Sequence, residues 1–142
     1  MDALQVGQVL WLVFRFNNTG DVSDNEHPYV VVDVGETTIE LIQLNSLKEG
    51  NRLHAFSKHN KVVYCSFPAE TVIHVDSYAQ LNNKFTIDNY PALVRYRRSE
   101  NTLSRDRLHE LLSAYSGYHA EFAIDENRIV HMAKEEVEKW NP

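Results

Sequence analysis

Through about residue 90 the apolar positions of this chain fall into short, β-branched runs, and after residue 100 they take up a helical spacing. The opening run Gly7–Phe16 (GQVLWLVFRF) is apolar at consecutive positions and predicts a strand buried on both faces. Asn17–Asp21 is turn-forming by composition. Tyr29–Val34 and Thr38–Leu44, parted by Gly35–Glu36, predict a β-hairpin. Lys61–Phe67 and Thr71–Val75 read as two further strands, and Tyr78–Leu81 and Lys84–Ile87 as a second hairpin turning at Asn82–Asn83. Residues 45–60 form a long polar loop, of the length that often carries function.

The period then changes. Leu108, Leu111, Leu112 and Tyr115 follow helical spacing behind Ser104 as N-cap, with Leu103 and Leu108 as a hydrophobic staple and Gly117 as the stop. Ile129, Ala133, Val137 and Trp140 share one face of a second helix within Asn127–Trp140. Asn89–Arg98 fits either a short helix opened by Pro91 or an alternating strand. Many short strands followed by helices predict an α+β fold. The β-core is a small barrel or sandwich over about residues 6–90, the helical part covers 91–142, and the 142 residues make one domain.

Composition narrows the class. No apolar run reaches the roughly 18–20 residues of a membrane-spanning helix, and Met1–Gln5 lacks the basic and apolar regions of a secretory signal. Cys65 is the single cysteine, which excludes a disulfide framework and a cysteine-based zinc cluster. These features predict a cytoplasmic protein without membrane partners. The net charge of −6 argues against a general nucleic-acid binder, yet the charge is segregated. Residues 17–40 hold Asp21, Asp24, Glu26, Asp33, Glu36 and Glu40 with no lysine or arginine. Residues 46–63 hold Lys48, Arg52, Lys58 and Lys61 against Glu49, and residues 95–107 hold five arginines against Glu100 and Asp106. Two basic segments in an acidic chain make either a local phosphate-binding face or solvated loops.

Candidate chemistry gathers at the open end of the first hairpin, where antiparallel pairing brings His27 and Ser46 together with Lys48 beside them. A histidine exchanges protons near neutral pH, a serine donates to a phosphate oxygen, and a lysine neutralises it. Lys58, His59 and Lys61 extend the basic segment, and Tyr78, Phe56 or Tyr29 offers a face for stacking an unpaired base. Each also has a structural reading: Ser46 after Asn45 suits a turn, and the lysines suit a solvated face. The remaining histidines lack helical metal-binding spacing, and Cys65 lies in an apolar run that suits an inert buried thiol.

The Gly-led strand Gly7–Phe14, the loop through Gly20 and Glu26 into His27-Pro28-Tyr29-Val-Val-Val32, and Ile42-Gln-Leu-Asn-Ser46 together resemble the MazF/PemK family of toxins from bacterial toxin–antitoxin modules. Pro28–Tyr29 and Ser46-Leu-Lys48 are similar to the ToxN branch of the same fold, and the likeness covers roughly residues 6–90. It implies a small SH3-like β-barrel of the CcdB/PemK type and a homodimer. It further implies metal-independent cleavage of single-stranded RNA without a cofactor, and a cognate antitoxin that is protein or RNA. In that frame His27 and Ser46 are the catalytic pair, and Lys48, Lys58, His59, Lys61 and Tyr78 bind substrate. One departure stands out: where the family has an arginine before the proline, this chain has His27. The alternative reading is a non-catalytic barrel that recognises a protein through its acidic 17–40 segment; a barrel binding a small molecule is a third.

Overall fold

The first hairpin forms as its pattern predicts. In the computed structural model, which describes residues 3–65 and 69–142 and only the backbone of Arg52, β2 (His27–Val34) pairs antiparallel with β3 (Thr38–Ser46). Tyr29 faces Gln43, Val31 faces Leu41, and a register shift between Val31 and Asp33 kinks the ladder. β1 (Val9–Leu12) lies on the other side of β2, with Leu12 opposite His27 and Leu10 opposite Tyr29. It is shorter than the apolar run Gly7–Phe16 but buried on both faces, as that run requires.

β4 (Asn60–Val63), β5 (Ser77–Gln80) and β6 (Lys84–Asp88) show where local pattern misleads. β5 and β6 do not pair with each other as a hairpin. Both run antiparallel to β3, β5 against its C-terminal half and β6 against its N-terminal half. β3 steps from Leu44 to Leu41 while its partner steps from Ala79 to Phe85, so Leu81–Asn83 is looped out of one interrupted strand rather than forming a turn. β4 pairs with β5 and stops at Val63; of the predicted strand Lys61–Phe67, Ser66 and Phe67 lie outside the described residues. Thr71–Val75 is not a strand, although Val72 and Ile73 are buried.

The loop 45–60 contains a 3-10 turn at Glu49–Asn51 and one helical turn, α1 (Arg52–Ala55). The ambiguous stretch resolves as a 3-10 helix over Pro91–Tyr96 with Pro91 at its first position. α2 (Arg105–Glu121) runs through Gly117 rather than ending there, and the Ser104 side chain does not cap it. The Glu70 carboxylate accepts the Ser104 N–H instead, at 2.8 Å. The second predicted helix splits: Ile129–Met132 is β7, parallel to β6, and only Lys134–Trp140 is α3.

The result is an α+β architecture with a seven-stranded, mostly antiparallel sheet in the order β1-β2-β3-β5-β4, with β6 and β7 branching from β3. Among the described residues no ladder joins β1 to β4 or β7, so the sheet stays open. Both faces are buried. Leu10, Leu12, Tyr29, Val31, Ile39, Leu41, Phe85 and Ile87 pack on one face with Leu93 and Val137. Val9, Val30, Ile42, Leu44 and Ala79 pack on the other against Leu111, Tyr115 and Tyr118 of α2. No helix is long and apolar enough to cross a membrane among the described residues.

Candidate functional site

Along β3 the positions on the first face read Ile39, Leu41, Gln43, Asn45: two core residues, then two amides. Along β2 the same face reads Val31, Tyr29, His27. Strand alternation therefore carries the core outward until it becomes polar, and there a cavity of about 480 Å³ opens. His27, Tyr29, Gln43, Asn45, Gln80, Asn83 and Arg128 line it, together with Phe16, Phe85 and the loop segment Ser23–Asn25.

Asn83 reaches this site because Leu81–Asn83 is looped out between β5 and β6. It is 4% exposed, donates to Gln80 Oε1 at 2.6 Å, and accepts from Arg128 Nη1 at 3.0 Å. Gln43 donates to Asn45 Oδ1 at 3.3 Å. Beneath them the Tyr29 hydroxyl and the Asn45 amide nitrogen are buried without partners among the described residues, and burial pushes the Tyr29 hydroxyl well above the ordinary tyrosine range. The His27 ring, half-buried, has no hydrogen-bond partner among the described residues. An unpartnered imidazole, an arginine held by an amide, and an array of amide donors and acceptors can grip a polar ligand and move a proton on it.

The loop over the cavity is tied down on both sides. Arg15 bonds Glu136 at 2.7 Å and the His131 carbonyl at 2.7 Å, and Asn18 donates to the Glu126 carbonyl at 2.6 Å. Glu26 pairs with Arg98, whose guanidinium lies 3.7 Å from the centre of the Trp11 ring.

Ser46 shares the hairpin's open end with His27 but has the opposite strand parity to Gln43 and Asn45; it sits opposite Ser77, exposed, and does not line the cavity. The register puts Asn45, not Ser46, on His27's face. Lys48 is exposed, its backbone N–H held by Asn51 at 2.7 Å. Lys58 lies over the Phe122 ring at 5.2 Å, His59 Nδ1 is 2.6 Å from the Tyr118 hydroxyl, and Lys61 is 3.9 Å from Glu110. Lys58, His59 and Lys61 are thus engaged with α2 and the residue that follows it. Tyr78 is buried edge-on against His54 at 5.6 Å, and burial raises its hydroxyl pKa. None of these residues lines the cavity.

The residues that sequence reasoning passed over are Asn45, Gln80, Asn83, Phe16 and Arg128. The amides at inward positions 43 and 45 are a readable signal, because an inward strand position that turns polar borders a cavity or a network. Arg128 carries no such signal, since its place depends on β7 joining β6. Among the described residues no three His, Cys, Asp or Glu side chains are grouped to hold a metal ion. No family model matches this chain, and no curated protein matches it significantly in sequence.

Proposed function

We propose that the protein is a metal-independent endoribonuclease of the MazF/PemK kind, built on an open variant of the SH3-like barrel and acting as the toxin of a toxin–antitoxin pair. The observation that carries the reading is the His27 ring, without a hydrogen-bond partner among the described residues, lining the same cavity as Arg128. The resemblance of the strands that build this cavity supports it.

In this reading His27 removes the proton from a 2′-hydroxyl, and the freed oxygen attacks the adjacent phosphorus. The bond from phosphorus to the 5′-oxygen breaks, that oxygen takes a proton from water while His27 returns its own to solvent, and the products are a 2′,3′-cyclic phosphate and a 5′-hydroxyl. Arg128 stabilises the charge that builds on the phosphoryl oxygens. Phe16, 42% exposed at the rim, stacks an unpaired base, and the amides hold its edge. Asn45 replaces Ser46 as the neighbour of His27. The active unit is a homodimer, and its cognate antitoxin is the implied partner.

The test is incubation of a long mixed-sequence RNA with the protein in EDTA, against His27→Ala, Arg128→Ala and Ser46→Ala. The expected outcome is fragments ending in cyclic phosphate, absent with His27→Ala, reduced about 100-fold with Arg128→Ala, and unchanged with Ser46→Ala. Intact RNA from folded, antitoxin-free protein rejects the enzyme. That result favours a protein-binding module, which the acidic Asp21, Asp24 and Glu26 of the loop, Asp24 lining the cavity, would suit.

A further inference from the structure

On the opposite face of β1 lies a second, smaller cavity of about 150 Å³ whose polar lining among the described residues consists of Thr71, His74, Arg98 and Ser99, with Trp11 as one wall. We infer that this cavity is a phosphate-binding site, organised by Arg98, for a phosphoryl group carried either on a nucleic-acid backbone or free in solution. The inference stands independently of the ribonuclease reading.

The chemistry of the lining points one way. Among the described residues no carboxylate lines the cavity, and its volume suits one tetrahedral anion with a small substituent. The Arg98 guanidinium lies over the indole of Trp11 at 3.7 Å, which holds it in place before any ligand arrives. Its one hydrogen-bond partner among the described residues is Glu26, leaving the remaining N–H groups to donate. The Thr71 hydroxyl and the His74 ring have no partner among the described residues. Ser99 Oγ accepts the Asn101 N–H at 3.0 Å and keeps its own hydrogen to donate. A guanidinium fork with hydroxyl and imidazole donors around it is the donor set that phosphate oxygens take. Glu26, outside the cavity, is the resident counter-ion with which a phosphate competes.

The test uses the full chain carrying Trp140→Phe, which leaves Trp11 as the sole indole reporter. Inorganic phosphate is titrated at constant ionic strength against chloride, followed by calorimetry and by Trp11 fluorescence, with circular dichroism confirming the fold of each variant. The expected result is saturable binding, weakened about tenfold by Arg98→Gln and weakened again by His74→Gln with Thr71→Val, which leaves the Trp11–Arg98 stack in place. Glu26→Gln tightens binding roughly threefold by removing the competitor. Short single-stranded DNA, which has no 2′-hydroxyl to cleave, then competes with phosphate if the source is a nucleic-acid backbone. A nucleoside monophosphate competes while DNA does not if the source is a free phosphoryl group. Phosphate behaving like chloride, or binding Arg98→Gln as tightly as the parent, overturns the site.

Discussion

At the scale of the residue, one carboxylate fixes the start of α2. The Glu70 side chain is 1% exposed, accepts the Ser104 N–H, and pairs with the Arg107 guanidinium. Burial works to raise its pKa, but the hydrogen bonds from Ser104 and Arg107 outweigh burial and hold the carboxyl below the ordinary glutamate range. A carboxyl depressed in the folded state contributes stability that is complete above its unfolded pKa of about 4.3 and is lost as pH falls below it. Glu70→Gln leaves Arg107 facing a neutral amide in a nearly dry site, at a cost of about 3 kcal/mol near neutral pH. Urea unfolding of the variant and the parent across pH 3 to 7 checks both halves. The gap narrows as pH drops through the carboxylate range; a gap that stays constant assigns the loss to packing instead of charge.

At the scale of the element, the glycines report how tightly strands and helix meet. Gly7 has φ +94°, and a Cβ there would sit 2.7 Å from Leu108 Cδ2 and 3.0 Å from Thr102 Cβ, just where the chain enters β1 beneath α2. Gly20 has φ +95° but open space around it, and Gly117 is helical with nothing within 4 Å. Gly7→Ala therefore costs about 3 kcal/mol from backbone strain plus crowding, Gly20→Ala about 1–2 kcal/mol from strain alone, and Gly117→Ala stabilises by about 0.5–1 kcal/mol. Urea midpoints in that order bear out the placement, and equal losses at Gly7 and Gly20 rule out the contact with α2. The same element shows what a sequence can and cannot carry. The spacing of Leu108, Leu111 and Tyr115 marks α2, and the β-branched runs around Gly35 mark β2 and β3, because these signals are local. Gly117 read as a stop only in isolation; Tyr118, one residue on, is buried against the sheet and carries the helix past it. Asn82–Asn83 suits a turn or a looped-out segment equally, and only pairing of both flanks with β3 decides between them. β7 is a four-residue strand whose partner residues in β6 lie 45 positions earlier, so no local period announces it or the Arg128 that precedes it.

At the scale of the whole molecule, the two-faced sheet buries tyrosines from both sides. Tyr29 lies under the cavity, Tyr90 at the start of the 3-10 helix, and Tyr115 on α2, where its hydroxyl bonds Glu40. Burial pushes all three hydroxyls above the ordinary tyrosine range, helped by Glu40 at Tyr115 and by Tyr96 at Tyr90. His27's place beside the candidate cavity was legible because it sits at the end of a locally coded hairpin. The basic residues expected beside it were not, because Lys58, His59 and Lys61 are occupied by contacts with α2 and the residue after it that no stretch of sequence displays. The tyrosines follow the same logic, since their protonation belongs to the assembled layers and not to any one element. A phenol whose folded pKa is raised keeps its proton in the native state, while the unfolded chain releases it near pH 10, so stability is complete below about pH 10 and falls as pH rises through it. Ultraviolet absorbance of phenolate should therefore appear in two stages. The first stage is reversible and leaves the circular dichroism unchanged. Tyr29, Tyr90 and Tyr115, together with the buried Tyr78, ionise only with a cooperative loss of that signal. Tyr115→Phe removes one of those groups and the bond to Glu40, which costs about 1 kcal/mol near neutral pH and makes the alkaline decline shallower. If all seven tyrosines titrate in one gradual wave while the fold persists, the sheet is not sealed on both faces, and the cavity floor under His27 is open to water.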